Sequence, residues 1–174
     1  YFADADHGWV VGRMGTAIVT DDGGDTWTAV RVDELDIKGV YFSDPQNGWI
    51  VGREGKIYRS EDGGYSWERQ IFTGYPEMDD LFEVRFVTDS EGFILGYHGV
   101  FVTSDGGSDW VNNWLPIVED RGAWSMTVVD REHAYLLGSR WTESDPELIY
   151  ATENGGHTWT AVPGSNASIL RGIV

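Results

Sequence analysis

Acidic side chains are the most abundant residues in this sequence that could do chemistry. The chain has 174 residues, of which 29 are Asp or Glu. A glycoside hydrolase needs two carboxylates at a defined separation across the scissile bond. Because acids make up a sixth of the chain, some fall in loops by chance, and carbohydrate hydrolysis or binding is the alternative interpretation. The loop carboxylates considered for it are Glu77, Asp79, Asp80, Glu119, Asp120, Glu143 and Asp145.

The four histidines do not suggest a metal site. His7, His98, His133 and His157 fall in different classes of turn and lack the spacing of metal ligands. The chain has no cysteine, which excludes disulfides and thiolate ligands. No nucleophile elbow, phosphate loop or dinucleotide fingerprint is present in the sequence. We therefore expect no metal and no cofactor, and we favour a binding protein over an enzyme.

The charge of the chain restricts its partners. Its net charge is −17, and only 12 residues are Lys or Arg. Nucleic acid is not expected as a partner, because binding it requires basic residues that neutralise phosphates. No segment approaches the ~20 consecutive apolar residues of a membrane helix, so membrane insertion is not expected either.

Four similar octets recur at intervals of 40, 43 and 49 residues. This period fits one four-stranded blade of a β-propeller. An aromatic content of 14% and 23 glycines also favour an all-β chain with many turns. The octets read TDDGGDTW (20–27), SEDGGYSW (60–67), TSDGGSDW (103–110) and TENGGHTW (152–159).

Each octet predicts a tight hairpin. Its Gly-Gly pair allows positive φ without a Cβ penalty, and its acid or amide can accept hydrogen bonds from the turn's own backbone. The closing Trp is predicted to pack between blades. Four copies suit a structural device better than four active sites. The residues assigned this role are Thr20, Asp22, Gly24, Trp27, Ser60, Asp62, Gly64, Trp67, Thr103, Asp105, Gly107, Trp110, Thr152, Asn154, Gly156 and Trp159.

The second repeat predicts a complete blade. Alternating apolar residues in short runs bounded by Gly, Asp and Asn indicate strands joined by hairpins. The predicted strands are Val40–Ser43, Trp49–Val51, Lys56–Arg59 and Trp67–Gln70. The corresponding blade repeats along the chain are approximately 1–36, 37–80, 81–121 and 122–168, with 169–174 beginning a further blade.

The octet resembles the Asp box (BNR repeat) of sialidases, sortilin-type receptors and xyloglucanases. Combined with a preceding G-W-x-V-G element, it resembles the photosystem II stability/assembly factor family and its bacterial relatives. Segments 47–67 and 7–27 carry this resemblance best. The later repeats depart from the pattern, since Phe93 and Tyr135 replace the Trp of the G-W element and Asp109 replaces a hydroxyl residue.

This resemblance implies a non-enzymatic scaffold that binds a protein partner or a larger complex. It also implies a ring of about seven blades and a secreted, periplasmic or lumenal location. Residues 1–4 match 41–44, and residues 171–174 match 38–41. We therefore expect the four repeats to be part of a larger ring, and the alternative is that two copies associate to complete one.

The predicted strand order assigns the loops to two ends of the blades. The octets share one end with the turns between first and second strands, and the opposite end carries the longer and more variable loops. Variable loops on a rigid scaffold are common binding sites, and Arg with aromatic neighbours is typical of protein interfaces. The residues predicted for a partner-binding face are Arg13, Arg53, Tyr97, His98, Arg140, Trp141, Tyr75, Trp114 and Trp124.

Overall fold

The computed structural model of the chain describes residues 1–71, 80–114, 123–138, 149–163 and 165. Within these residues the regular structure is β-strand, apart from single 3-10 turns at Arg13–Gly15 and Arg53–Gly55. The strands are β1 (Gly8–Val11), β2 (Thr16–Thr20), β3 (Thr28–Arg31), β4 (Ile37–Phe42), β5 (Gly48–Gly52), β6 (Ile57–Ser60), β7 (Glu68–Gln70), β8 (Leu81–Phe86), β9 (Gly92–Gly96), β10 (Gly99–Thr103), β11 (Val111–Trp114), β12 (Ala123–Val128), β13 (Ala134–Gly138), β14 (Ile149–Thr152) and β15 (Thr160–Ala161).

The strands form four antiparallel sheets in chain order, which we call blades 1 to 4. Blade 1 is β1-β2-β3, and blades 2 to 4 each contain four strands that follow one another as a meander. In blade 1 the place of the first strand is taken by Tyr1 and Phe2, which pair with Trp9 and Gly8. The first strand of blade 3 contacts the first strands of blades 2 and 4. This confirms the predicted all-β propeller, while the predicted limits of the repeats stay a prediction.

Each complete first strand contains an irregularity near its start. In β4 the pairing register with β5 shifts between Ile37 and Gly39, and β8 and β12 show the same shift at equivalent places. A bulge of this kind leaves one residue outside the regular ladder and breaks the alternation of faces. The pairing with β5 continues on both sides of the bulge, so β4 begins at Ile37, three residues before the predicted Val40.

Aromatic rings connect one blade to the next. Trp9 of blade 1 stacks on Phe42 of blade 2, with ring centroids 3.5 Å apart, and its indole N–H donates to the Gly63 carbonyl at 2.7 Å. Trp49 of blade 2 stacks in the same way on Phe86 of blade 3, at 4.1 Å. These Trp residues belong to the G-W elements, whose packing role the sequence analysis did not assign.

The closing Trp of an octet meets the same stack from within its own blade. Trp67 contacts the edge of Phe42 at 5.7 Å, and Trp110 contacts the edge of Phe86 at 5.7 Å. The Trp67 indole N–H donates to the carbonyl of Gly64 in its own turn, at 2.9 Å. The closing Trp therefore supports the seam between blades from one side, and the ring that crosses the seam is that of the G-W element.

Each octet forms a hairpin closed by its own side chains. In the first, the Thr20 hydroxyl donates to Asp22 at 2.8 Å and accepts from the Gly24 N–H at 2.9 Å. Asp22 also accepts from the Thr26 N–H at 2.8 Å. Gly23 and Gly24 have φ of 73° and 97°, as the sequence predicts. In the other three octets the hydroxyl again accepts from the second glycine N–H and donates to the residue at the position of Asp22, which is Asp in the second and third octets and Asn154 in the fourth.

Because the octet carboxylates accept hydrogen bonds in these hairpins, we expect the folded protein to lose stability in acid. Hydrogen bonds from Thr26 and Thr20 lower the pKa of Asp22 to about 2, below the value of about 3.9 for an unfolded Asp. Between these values the unfolded chain binds more protons, so the stabilisation is present above pH ~4 and disappears as the pH falls towards 2. We expect the Asp22→Asn variant to remain folded at neutral pH and to lose less stability on acidification, as measured by urea unfolding.

The fourth octet supplies the natural precedent for that variant. Asn154 accepts from the Thr158 N–H and donates from its amide to the Thr158 hydroxyl, both at 2.9 Å. An Asn therefore satisfies the same turn without titrating. If the Asp22→Asn variant loses as much stability on acidification as the wild type does, the lowered pKa of Asp22 is not the cause of the acid sensitivity.

Candidate functional site

The octet hairpins share one end of the blades with the turns between first and second strands. In each blade the first Gly of the Gly-Gly pair donates its N–H to a carbonyl of that turn. The four bonds are Gly23 to Asp6, Gly63 to Gln46, Gly106 to Ser90 and Gly155 to Glu132. We use the term loop-rich face for the opposite end, defined here by residues 13–15, 32–36, 53–55 and 97–98 and by the starts of β4, β8 and β12.

Two of the predicted arginines occupy equivalent positions on the loop-rich face. Arg13 and Arg53 are exposed and each begins a 3-10 turn. The residues that follow them, Met14 and Glu54, both have φ of 57°, so the two turns have the same backbone shape. Among the residues that the structure describes, neither arginine forms a salt bridge. The charge of Arg53 nevertheless contributes to lowering the pKa of Asp80.

A repeated aspartate holds these turns in place from the neighbouring blade. Asp36, which directly precedes β4, accepts from the Met14 N–H through its carboxylate at 3.0 Å. Its carbonyl accepts from the Arg53 N–H at 3.0 Å. The single residue thus connects the turns that carry Arg13 and Arg53. The sequence analysis did not identify it, although an Asp immediately before a first strand recurs in the next blade.

Asp80 performs the same task between blades 2 and 3. Its carboxylate accepts from the Glu54 N–H at 3.3 Å, and its carbonyl accepts from the Tyr97 N–H at 3.0 Å. The other carboxylate oxygen lies 2.6 Å from the Lys38 ammonium. Asp36 and Asp80 therefore fix three successive turns of the loop-rich face relative to one another.

The environment of Asp80 is not that of a general acid. Burial raises its pKa, but the hydrogen bond and charge of Lys38 outweigh that effect, and the pKa lies below the usual value. A glycosidase acid requires a raised pKa. The other six carboxylates considered for hydrolysis lie outside the described residues.

Three aromatic side chains meet beside these turns and form what we call the aromatic cluster: Phe82, Tyr97 and Trp124. The Phe82 ring lies 5.4 Å from that of Trp124 and 6.4 Å from that of Tyr97, and Tyr97 and Trp124 are 6.0 Å apart. His98 contacts the Tyr97 ring at 4.7 Å. The Lys38 ammonium lies 4.4 Å from the centre of Phe82. Trp124 is 54% exposed although it sits on a strand.

The structure therefore brings together part of the predicted face. Tyr97, His98 and Trp124 converge across blades 3 and 4, and Phe82 and Lys38 are additional members that the sequence analysis missed. Phe82 and Lys38 could have been found from their positions in the sequence. Like Trp124, each is the second residue of the first strand of its blade. Tyr75, Arg140, Trp141 and the side chain of Trp114 lie outside the described residues.

A partly buried ion pair anchors the connection that leads to Asp36. The Lys56 ammonium lies 2.8 Å from the carboxylate of Asp33, which also accepts from the Tyr58 hydroxyl. Burial raises the pKa of Asp33, but the bonds from Lys56 and Tyr58 outweigh it and lower the pKa. Burial and the nearby carboxylate raise the pKa of Tyr58. These contacts hold residues 32–36 against blade 2.

A cleft of about 440 Å³ lies at the opposite end, between blades 3 and 4. Its lining includes Thr103, Asn154 and Gly155, which already close the octet hairpins, and Glu91, which lies 3.7 Å from Arg131. These groups are engaged in turn structure, so we favour the loop-rich face as the functional site. Over the described ranges, no group of His, Asp and Glu is arranged to hold a metal ion. The same ranges contain no helix that is long and apolar enough to cross a membrane.

The four sheets and their hairpins define an Asp-box β-propeller. Residues 1–69 and 75–168 match the profile of the family described as photosynthesis system II assembly factor YCF48. The chain belongs to this family. No curated protein matches the sequence significantly.

Solved structures show the same fold. YCF48 from Cyanidioschyzon merolae is 28% identical over 79% of this chain, with a TM-score of 0.61. The chain spans 43% of the length of that protein. A structure of YCF48 bound to D1 peptide is 16% identical, covers 92% of this chain and 80% of its own, and has a TM-score of 0.55. An ancestral GH74 enzyme is 16% identical, covers 96% of this chain and 24% of its own, and has a TM-score of 0.71.

Proposed function

We propose that this chain is a non-enzymatic propeller scaffold that binds a protein partner on its loop-rich face and acts as an assembly or stability factor for a larger complex. One observation carries the proposal: Arg13 and Arg53 are exposed at equivalent turns, and Asp36 fixes both turns to each other. Two exposed cations on turns that are fixed to each other can attract an anionic group of a partner, although the chain as a whole has a net charge of −17.

Membership of the YCF48 family supports a protein partner, as does the YCF48 structure with a bound D1 peptide. The GH74 neighbour supports the fold alone, and the lowered pKa of Asp80 argues against hydrolysis at the described part of the face. A secreted, periplasmic or lumenal location accompanies the proposal. Completion of the ring by further blades, or by a second copy, also stays a prediction.

Charge reversal on the loop-rich face tests this function. We expect the Arg13→Glu/Arg53→Glu double variant to weaken partner binding at least about tenfold, because it replaces attraction by repulsion. A labelled D1 peptide serves as the direct probe, and fluorescence anisotropy gives its affinity. Chemical cross-linking followed by mass spectrometry identifies partners that the wild type captures and the double variant does not.

Arg131→Glu is the matched control. Arg131→Glu reverses one charge at the octet end, where the Arg131 side chain is 67% exposed, and so changes the net charge by half as much as the double variant does. We expect this variant to bind as the wild type does. Equal losses in the control and the double variant would show a general charge effect and would contradict binding at the loop-rich face.

A further inference from the structure

Resting on the proposed function, we propose that the aromatic cluster is an anchor pocket for one large apolar side chain of a protein partner. The partner segment is an extended peptide in which this side chain stands next to an acidic residue. The cluster receives the apolar side chain, and Arg53 receives the carboxylate.

The exposure of the cluster is the first argument. Trp124 is 54% exposed, whereas Ala123 and Met126 on the same strand are buried at 0% and 5%. The bulge between Ala123 and Ser125 turns Trp124 out of the regular ladder, and bulges re-aim side chains in this way at functional sites. An exposed indole contributes to binding when a partner covers it, because an aromatic side chain buries 150–250 Å².

The composition of the cluster is typical of a protein interface. The planes of Phe82 and Trp124 are inclined by 39°, those of Phe82 and Tyr97 by 57°, and those of Tyr97 and Trp124 by 87°. The three rings are therefore in contact and form one continuous aromatic patch. Aromatic side chains of this kind, with a basic residue nearby, are enriched among the residues that carry binding energy in protein interfaces.

The charges beside the cluster favour an acidic residue next to the apolar side chain of the peptide. Asp80 joins the turn of Arg53 to Tyr97 of the cluster through the backbone N–H groups of Glu54 and Tyr97. The carboxylate of Asp80 is already occupied by Lys38 and by the Glu54 N–H. Arg53 has no salt-bridge partner among the described residues, so a carboxylate adjacent to the anchored side chain satisfies it.

Four synthetic peptides test the pocket against the intact chain. They are acetylated, amidated octapeptides of sequence GSGXDGSG with Trp, Leu or Ala at X, and GSGWNGSG, in which Asn replaces the acid. Binding is followed by shifts in ¹H–¹⁵N NMR spectra. We expect the Trp peptide to bind about tenfold more tightly than the Ala peptide, since one buried aromatic side chain is worth this much. The Asp peptide should also bind more tightly than its Asn counterpart.

Variants separate the pocket from the charged site. The Trp124→Ala variant should reduce the Trp-to-Ala preference to about twofold or less and keep the Asp-to-Asn preference. The Arg53→Glu variant should keep the Trp-to-Ala preference and lose the Asp-to-Asn preference. Tyr65→Ala is the control, because Tyr65 is a 46% exposed aromatic residue in an octet at the other end, and it should change neither preference.

Each outcome decides a separate question. An unchanged Trp-to-Ala preference in the Trp124→Ala variant overturns the anchor pocket and leaves the proposed function standing. An unchanged Asp-to-Asn preference in the Arg53→Glu variant counts against the proposed function instead. A xyloglucan oligosaccharide serves as the sugar probe, and shifts around Trp124 with this probe but with none of the peptides overturn the pocket in favour of glycan binding.

Discussion

Replacing Trp49 by Ala should destabilise the protein by about 4 kcal/mol, within the range measured for large aromatic residues in cores. Trp49 is only 2% exposed and belongs to the largest buried cluster described, where it stacks on Phe86 of the next blade at 4.1 Å. The Arg59 guanidinium also lies over the Trp49 ring, 5.6 Å from its centre. Removing the indole leaves a cavity that the two neighbouring sheets cannot fill by local adjustment.

Trp27→Ala is the matched control for this prediction. Trp27 is 37% exposed and its ring contacts the edge of Phe2 at 6.1 Å. Because this Trp is partly solvated already, its loss should cost about 1 kcal/mol. Urea unfolding followed by tryptophan fluorescence and circular dichroism gives both values. Similar losses for the two variants would contradict the assignment of the G-W element to the seam between blades.

Replacing Gly107 by Ala should cost about 3 kcal/mol. Gly107 has φ of 80°, a conformation that costs an L-residue roughly 1–2 kcal/mol. A Cβ at this position would lie 2.7 Å from the Trp49 indole nitrogen. The indole is held by its stack on Phe86, so the clash adds the cost of an overpacked core, about 1–3 kcal/mol.

A substitution at the adjacent Gly106 separates the backbone cost from the packing cost. Gly106 has a similar φ of 74°, but the nearest atom to an added Cβ is the Asp89 carbonyl oxygen at 3.1 Å. Gly106→Ala should therefore lose about 1–2 kcal/mol, mainly the backbone cost. The difference between the two variants measures the contact across the seam. If both variants unfold at the same urea concentration, close packing of the octet against the preceding blade is not what stabilises the fold.

The local features of this fold were predictable from the sequence. An octet contains its own hydrogen-bond donors, acceptors and glycines, so its hairpin depends on residues at most a few positions apart. The predicted positive φ is confirmed at Gly106 and Gly107, as at the Gly-Gly pairs of the other octets. The turns that carry Arg13 and Arg53 were located for the same reason, since each is bounded by glycines and short strands.

Contacts between blades were not predictable in the same way. Asp36 bonds to Met14, 22 positions away, and Asp80 bonds to Glu54, 26 positions away. The spacing of the octets fixes the period of the blades but not which loop residue reaches across a seam. Phe82 was missed because the bulge in β8 removes it from the alternation by which strand faces are read from a sequence.

The aspartates that link successive turns also make ligand affinity depend on the stability of the blade array. The turn of Arg13 is set by a residue that belongs to the start of blade 2, and the turn of Arg53 by one that belongs to the start of blade 3. A ligand that spans both turns therefore binds the stacked arrangement and not a separated blade. Under mass action such a ligand would shift the population towards closed seams, so binding of the proposed partner would stabilise the contacts between blades.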